Sequence, residues 1–177
     1  MAQTGPFHLY ANNFIKIIRH KYIYAMIYYI DLIGFYGPAI IGLISATALW
    51  CRKIYLISYT VCFALNSIVN SVLKIVIQEA RPSGQIYLND HDIVPSSVPS
   101  KYGMPSGHAQ SVGYSIAFLY LVVRSPAVLI TTSFIGALTV YQRFKYRRHT
   151  ISQLFIGLVI GVLFAMVSYE ITKTLHH

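Results

Sequence analysis

From residue 22 to residue 50 the chain carries no charged side chain except Asp31, and further apolar stretches follow at 54–77, 109–123, 127–141 and 151–169. A helix needs roughly 20 consecutive apolar residues to cross the hydrocarbon core of a bilayer. The first run exceeds that length. With 55% hydrophobic and 11% charged residues and a mean hydropathy of +0.55, the chain falls outside the soluble globular class. The expected fold is therefore all-α: an integral membrane helical bundle of about five transmembrane helices plus an N-terminal interfacial helix, in one domain over residues 1–177.

Residues 7–21 place Phe7, Tyr10, Phe14, Ile17 and Ile18 on one helical face and Asn12, Asn13, Lys16, Arg19 and His20 on the other. That pattern predicts the interfacial helix. Asp31, Gly34 and Pro38 put the start of the first crossing near Asp31, which reads as a helix cap rather than a catalytic acid. The third and fourth spans are short for lipid-facing helices, so they are expected to run past those limits or to sit inside the bundle. Residues 1–21 lack a compact apolar core followed by a small-residue cleavage site, so no signal peptide is expected. Cys51 and Cys62 lie at the end and in the middle of neighbouring apolar stretches, which excludes a secreted disulfide framework. A net charge of +9 would suggest nucleic acid in a soluble protein. Here the basic residues sit between apolar runs rather than on one face, so nucleic acid is not an expected partner.

Three polar clusters interrupt the apolar background: Lys74 with Arg81-Pro82, then Pro105-Ser106-Gly107-His108, then Arg143 with His149. Lys74 and Arg81 end the second span, His108 opens the third, Arg143 ends the fourth and His149 opens the fifth. Successive helices alternate direction, so all three clusters fall on one membrane face, together with the N-terminus. Residues 83–104 form a long, proline-interrupted connection without helical period, expected to cap that face. Its Asp90-His91-Asp92 resembles a metal-ligand triplet, but such triplets in polar loops are usually solvated, and no metal or cofactor is expected.

Asn66, Asn70 and Lys74 recur at intervals of four and make a polar stripe facing the bundle interior. Interhelical hydrogen bonding accounts for the two asparagines. A lysine inside a span is costly without an anion, and Glu79, five residues on, lies off that face. A bound phosphate would supply the partner. Seven residues separate Lys74 from Arg81, two helical turns or about 10 Å, so both side chains point the same way, with Pro82 ending the helix. Pro105-Ser106-Gly107-His108 sits where a loop becomes a helix; free N–H groups there bind anions, and Gly107 allows close approach. A serine cap followed by an unrelated histidine would look identical. Lys145, Arg147 and Arg148 read as a basic turn of the kind that flanks membrane spans.

Taken together, Lys74-x6-Arg81-Pro82, Pro105-Ser106-Gly107-His108 and Arg143-x5-His149 resemble the three signature motifs of the type 2 phosphatidic acid phosphatase superfamily of membrane lipid phosphatases, in order across about 80 residues. Two positions depart from that pattern. Gln142 stands where serine is usual before the arginine, and Gln153 stands where an aspartate usually follows the histidine by four. Ile77-Gln78-Glu79, Lys101-Tyr102-Gly103-Met104, Gln110, and His149-Thr150 with Ser152-Gln153 look like the dolichyldiphosphatase branch, which also carries glutamine at the second position. Gly107 departs from that branch, which has serine there.

The resemblance implies His149 as nucleophile on phosphorus, giving a phosphohistidine that water hydrolyses. His108 would protonate the leaving oxygen. Lys74, Arg81, Arg143, Ser106 and the Gly107 N–H would hold the equatorial oxygens. Gln153 would accept the His149 Nδ1–H without bringing negative charge, a weakness that a diphosphate relieves because phosphate leaves more readily than a lipid alkoxide. The implied substrate is a polyprenyl (dolichyl-type) diphosphate in the bilayer. Alternatives are a broader lipid phosphate phosphatase acting on phosphatidic acid or undecaprenyl diphosphate, and a non-catalytic phospholipid-binding protein. Vanadium-dependent haloperoxidases share the fold but are soluble and larger.

Orientation is contested between two signals. Ten of the 14 Lys and Arg residues fall on the cluster face, which the positive-inside tendency would place in the cytoplasm. Three of the ten are assigned to phosphate, and the resembling branch faces the lumen of the endoplasmic reticulum, which is the expectation adopted. Oligomeric state is not readable from the sequence.

Overall fold

A computed structural model describes residues 6–88 and 101–176, with side chains from residue 21 to residue 175. Among the described residues five helices follow one another: α1 (Pro6–Ala48), α2 (Lys53–Ile77), α3 (Gly107–Val123), α4 (Pro126–Lys145) and α5 (Ile151–His176). Segments Lys21–Ala48, Lys53–Ile77, Pro126–Lys145 and Ile151–Leu175 are long and apolar enough to cross a membrane. The chain is an integral membrane helical bundle, as its apolar runs predict.

The two short spans resolve in the two ways expected. α4 extends beyond 127–141 at both ends, to 20 residues. α3 has only 17 residues and buries nine of them, so it runs through the middle of the bundle rather than along the lipid. Its broadest neighbour is α5. The approach is close because glycines face backbone: a Cβ on Gly157 would sit 2.6 Å from the Ser106 carbonyl oxygen, and one on Gly161 would sit 2.8 Å from the Tyr114 nitrogen. Small residues thus let α5 press on the first turns of α3.

α2 buries only Tyr59, Asn66, Asn70 and Lys74, while Val61, Ile68 and Val72 are exposed to the lipid side. The expected polar stripe therefore faces inward. Asn70 Nδ2 donates to Gln110 Oε1 at 2.8 Å and to the Pro105 carbonyl at 3.2 Å. Gln110 Nε2 in turn donates to Asn66 Oδ1 at 2.8 Å and to the Asn66 carbonyl at 2.9 Å. A fully buried amide network thus staples α2 to the start of α3. Towards the opposite end, Tyr59, Tyr114, Phe118, Leu119 and Leu49 form the apolar core. Tyr59 and Tyr114 stack with centroids 5.6 Å apart, and their hydroxyls reach Ser115 Oγ at 2.8 Å and the Tyr59 carbonyl at 3.1 Å.

Two local expectations are overturned. Asp31 is not a helix cap: α1 runs unbroken through it, and residues 7–21 continue into the first span in the same helix. Its carboxylate is buried against α4, accepting from Lys145 Nζ at 2.6 Å and the Tyr146 hydroxyl at 2.9 Å. Lys145 is accordingly a partner of α1 and not simply part of a basic turn. The second correction concerns α2, which ends at Ile77 and not at Pro82. Gln78 adopts the left-handed conformation (φ 56°) and its N–H bonds the Lys74 carbonyl at 3.0 Å. The chain then turns to pair Ala80 with Tyr102 in an isolated antiparallel bridge. Arg81 is therefore not two turns below Lys74 on a common helix.

Candidate active site

The three clusters converge at one end of the bundle. Ser106 opens α3: its hydroxyl accepts from the Ala109 N–H at 3.5 Å and its own N–H donates to the Gln153 carbonyl at 3.0 Å. The serine therefore caps the helix as well as lying in the second cluster. Gly107 packs on Asn70, whose Oδ1 would lie 3.2 Å from an added Cβ. The opening turn of α3 is in this way fixed by both α2 and α5, with its first N–H groups facing the same end.

His149 lies in the turn between α4 and α5 and is 4% exposed. Its Nδ1 faces the Gly103 carbonyl at 3.0 Å and Gln153 Oε1 at 3.3 Å. A carbonyl can only accept, so Nδ1 carries the proton and Nε2 keeps its lone pair. That lone pair faces Arg81 Nη1 at 3.4 Å. Arg81 is steadied from behind by the Arg148 carbonyl at 3.2 Å. Burial first, then the Arg81 and Lys74 charges and, behind them, that of Arg143, hold His149 well below the ordinary histidine range. It is neutral at neutral pH.

The Gln153 orientation is equally determined. Its Oε1 accepts the Thr150 N–H at 3.2 Å, and its Nε2 donates to the Ala80 carbonyl at 2.9 Å and to Glu79 Oε1 at 2.8 Å. A flipped amide would face donor with donor and acceptor with acceptor. The expected acceptor for Nδ1–H is thus present, but the Gly103 carbonyl is nearer and shares the task.

The remaining cations come from separate elements. Lys74 Nζ donates to the Tyr102 carbonyl at 3.1 Å, and among the described residues no ion pair reaches it. Arg143, at the end of α4 and 3% exposed, donates from Nη2 to His108 Nε2 at 2.9 Å and stacks on the Phe35 ring at 4.9 Å. His108 lies against the same ring, with centroids 6.0 Å apart. All the expected site residues, Lys74, Arg81, Ser106, Gly107, His108, Arg143, His149 and Gln153, therefore meet at this end of the bundle. The Asp90-His91-Asp92 triplet and most of the expected capping loop lie outside the described residues.

Several contributors escaped the sequence reading. Gly103 carries the carbonyl behind His149, and an added Cβ there would fall within 2.6 Å of the Gln153 amide carbon, so a larger residue would displace the Gln153 side chain from its position. Tyr102 holds Lys74, Phe35 carries Arg143, and Arg148, 1% exposed, stacks on Tyr87 at 4.6 Å. Lys101-Tyr102-Gly103 was visible as part of a motif, but nothing marked a backbone carbonyl as the functional atom. Phe35 was one aromatic among many in an apolar run.

Two hollows adjoin the site. One of about 700 Å³ is lined by His149, Arg147, Lys145, Pro82 and Ser83. The other, an apolar groove of about 550 Å³ between α3, α4 and α5, runs past Gly136, Ala137 and Val140. Phe144 and Ile151 line both, so the groove and the polar hollow lie side by side.

Residues 55–176 match the PAP2 superfamily. Dolichyldiphosphatase 1 of Mus musculus is 34% identical over 141 residues, covering 69% of this chain and 55% of that protein. The Homo sapiens protein of the same name is 31% identical over 138 residues, with the same coverage. This chain spans little more than half the length of these curated relatives. The crystal structure of a transmembrane PAP2-type phosphatidylglycerolphosphate phosphatase from Bacillus subtilis superposes with a TM-score of 0.63 at 20% identity, over 82% of this chain and 75% of that one, which shows a common fold. Helical bundle, convergent motifs and sequence likeness agree that the chain belongs to the PAP2 superfamily, in its dolichyldiphosphatase-like branch.

Proposed function

We propose that this protein hydrolyses a polyprenyl diphosphate to the lipid monophosphate and inorganic phosphate. The observation that carries the reading is the state of His149: Nδ1–H is committed to Gly103 and Gln153, and the Nε2 lone pair looks towards Arg81. Nε2 attacks the terminal phosphorus, the bond to the bridging oxygen breaks, and the lipid monophosphate departs. Water then attacks the phosphohistidine, releasing inorganic phosphate and restoring the imidazole. Lys74, Arg81, Arg143, Ser106 and the Gly107 N–H hold the non-bridging oxygens and offset the charge developing on them.

His108 is assigned the leaving oxygen. Its Nε2 accepts from Arg143, so that nitrogen is unprotonated. A bound phosphate draws the guanidinium away and its negative charge favours the imidazolium, which makes His108 a proton donor only when substrate is present. The apolar groove beside the hollow, which shares Phe144 and Ile151 with it, suits a lipid tail in the bilayer. Residence in the endoplasmic reticulum, with the site towards the lumen, is proposed from the relatives' branch.

Phosphate release from a panel of lipid mono- and diphosphates tests this reading, with covalent phosphate trapped on His149 as the direct signature. His149→Ala should abolish release from every substrate. His108→Ala should harm diphosphate cleavage less than monoester cleavage, because a phosphate leaving group asks less of a general acid. Faster turnover of monoesters by the wild-type protein, or equal losses for both classes in His108→Ala, would overturn the diphosphate preference.

A further inference from the structure

Attack on phosphorus converts the neutral imidazole of His149 into an N-phosphorylated imidazolium, and the new positive charge appears on the Nδ1–H side. Among the described residues, the charged groups that act on His149 are cationic or titrate to a cation: Arg81 after α2, Lys74 on α2, His108 on α3 and Arg143 on α4. The two acceptors of its Nδ1–H, the Gly103 carbonyl and the Gln153 amide, are neutral dipoles. Such a site stabilises the phosphate well and the imidazolium poorly.

Among the described residues one carboxylate is within reach of the second acceptor. Glu79 Oε1 accepts from Gln153 Nε2 at 2.8 Å, on the far side of the same amide whose Oε1 faces His149. An amide held between a carboxylate and an N–H is polarised along its length, which makes the distal oxygen a stronger acceptor. Glu79 also holds the other acceptor, since its backbone carbonyl takes the Gly103 N–H at 2.7 Å. A single residue therefore braces both groups behind the histidine. It is able to do so only because α2 stops at Ile77 and the chain turns at Gln78.

We infer that Glu79 is a positioning residue whose negative charge, relayed through the Gln153 amide, stabilises the imidazolium formed on His149. This rests on the reading of His149 as nucleophile. The informative variant is Glu79→Gln, because a glutamine oxygen can accept the same hydrogen bond while the charge is lost. Full-chain protein in detergent would be assayed on a polyprenyl diphosphate across pH. Glu79→Gln should lose about tenfold or more in kcat with KM within about twofold. The acid limb of kcat/KM should also move to lower pH, since losing a nearby negative charge makes His149 harder to protonate. Glu79→Asp, which keeps the charge, should leave the limb in its wild-type position.

A wild-type kcat in Glu79→Gln, or a lowered kcat with an unmoved acid limb, would overturn the relay and leave Glu79 a structural hydrogen-bond acceptor. Glu79→Ser removes the charge together with the hydrogen bond, so if Glu79→Gln does not accumulate in membranes the acid limb of Glu79→Ser, set against that of Glu79→Asp, carries the comparison. His149→Ala in the same assay separates the two levels of the argument. If His149→Ala is inactive and Glu79→Gln is wild type, only the relay fails; if His149→Ala stays active, the nucleophile reading falls and the relay with it.

Discussion

At the scale of single residues the histidines were legible because their chemistry demands particular residue types near cations, and those types are rare in an apolar chain. Their states depend on neighbours far apart in sequence. Burial, reinforced by Arg81, Lys74 and Arg143, holds His149 well below the ordinary histidine range. In the proposed mechanism the active form is the neutral imidazole, so lowering its affinity for protons extends activity towards acid. The acid limb of kcat/KM for polyprenyl diphosphate hydrolysis should therefore lie below the unperturbed value of about 6.5. A limb at or above it would mean that His149 is not the group titrating. Glu79 and Gly103 could not be read from spacing, because their roles depend on where α2 stops. Continued helical phase to Pro82 turns Glu79 away from the polar stripe, whereas the left-handed Gln78, an unusual residue for that conformation, brings it onto Gln153. Position 153 itself was visible as a departure from the family pattern, and the partner that gives that departure meaning lies 74 residues away.

At the scale of elements, five helices and their order follow from apolar length alone, since a bilayer leaves few alternatives for an uncharged run. Boundaries and breaks did not follow. α1 passes through Asp31 without interruption because Lys145 and Tyr146 satisfy the carboxylate from the end of α4, and no local signal announces a partner more than a hundred residues distant. The Asn66-Asn70-Lys74 stripe was readable from its period of four, and its counterpart Gln110 identifies what it does. Asn70 is the joint, giving one N–H to Gln110 and another to the Pro105 carbonyl just before the α3 cap. Replacing it with alanine leaves a buried amide oxygen and a backbone carbonyl without their donor, at a cost of about 1–3 kcal/mol. Asn70→Ala should thus lower thermal stability in detergent, and it should lower kcat as well, because the first turn of α3 carries Ser106, Gly107 and His108. Loss of stability with undiminished kcat would show that α5 alone fixes that turn.

At the scale of the whole molecule, the bundle presents two separate surfaces: cations gathered at one end, and an apolar groove beside the hollow that His149 lines. The groove between α3, α4 and α5 is lined by small residues, Gly136 and Ala137, and meets the polar hollow at Phe144 and Ile151. The proposed lipid, with its diphosphate held by the cations around His149, would lay its chain in this groove without leaving the hydrocarbon. Ala137 is exposed within it, so a larger side chain there fills the groove without displacing the core. Ala137→Trp should then raise KM for a long polyprenyl diphosphate several-fold while leaving kcat and thermal stability near wild type. A short, water-dispersible isoprenoid diphosphate, which needs less of the groove, should be hydrolysed with nearly unchanged kcat/KM. Equal changes for the long and short substrates would separate the groove from the chain of the lipid and place the tail against another face of the bundle. The comparison tests tail recognition independently of His149, since both substrates present the same diphosphate to the same cations.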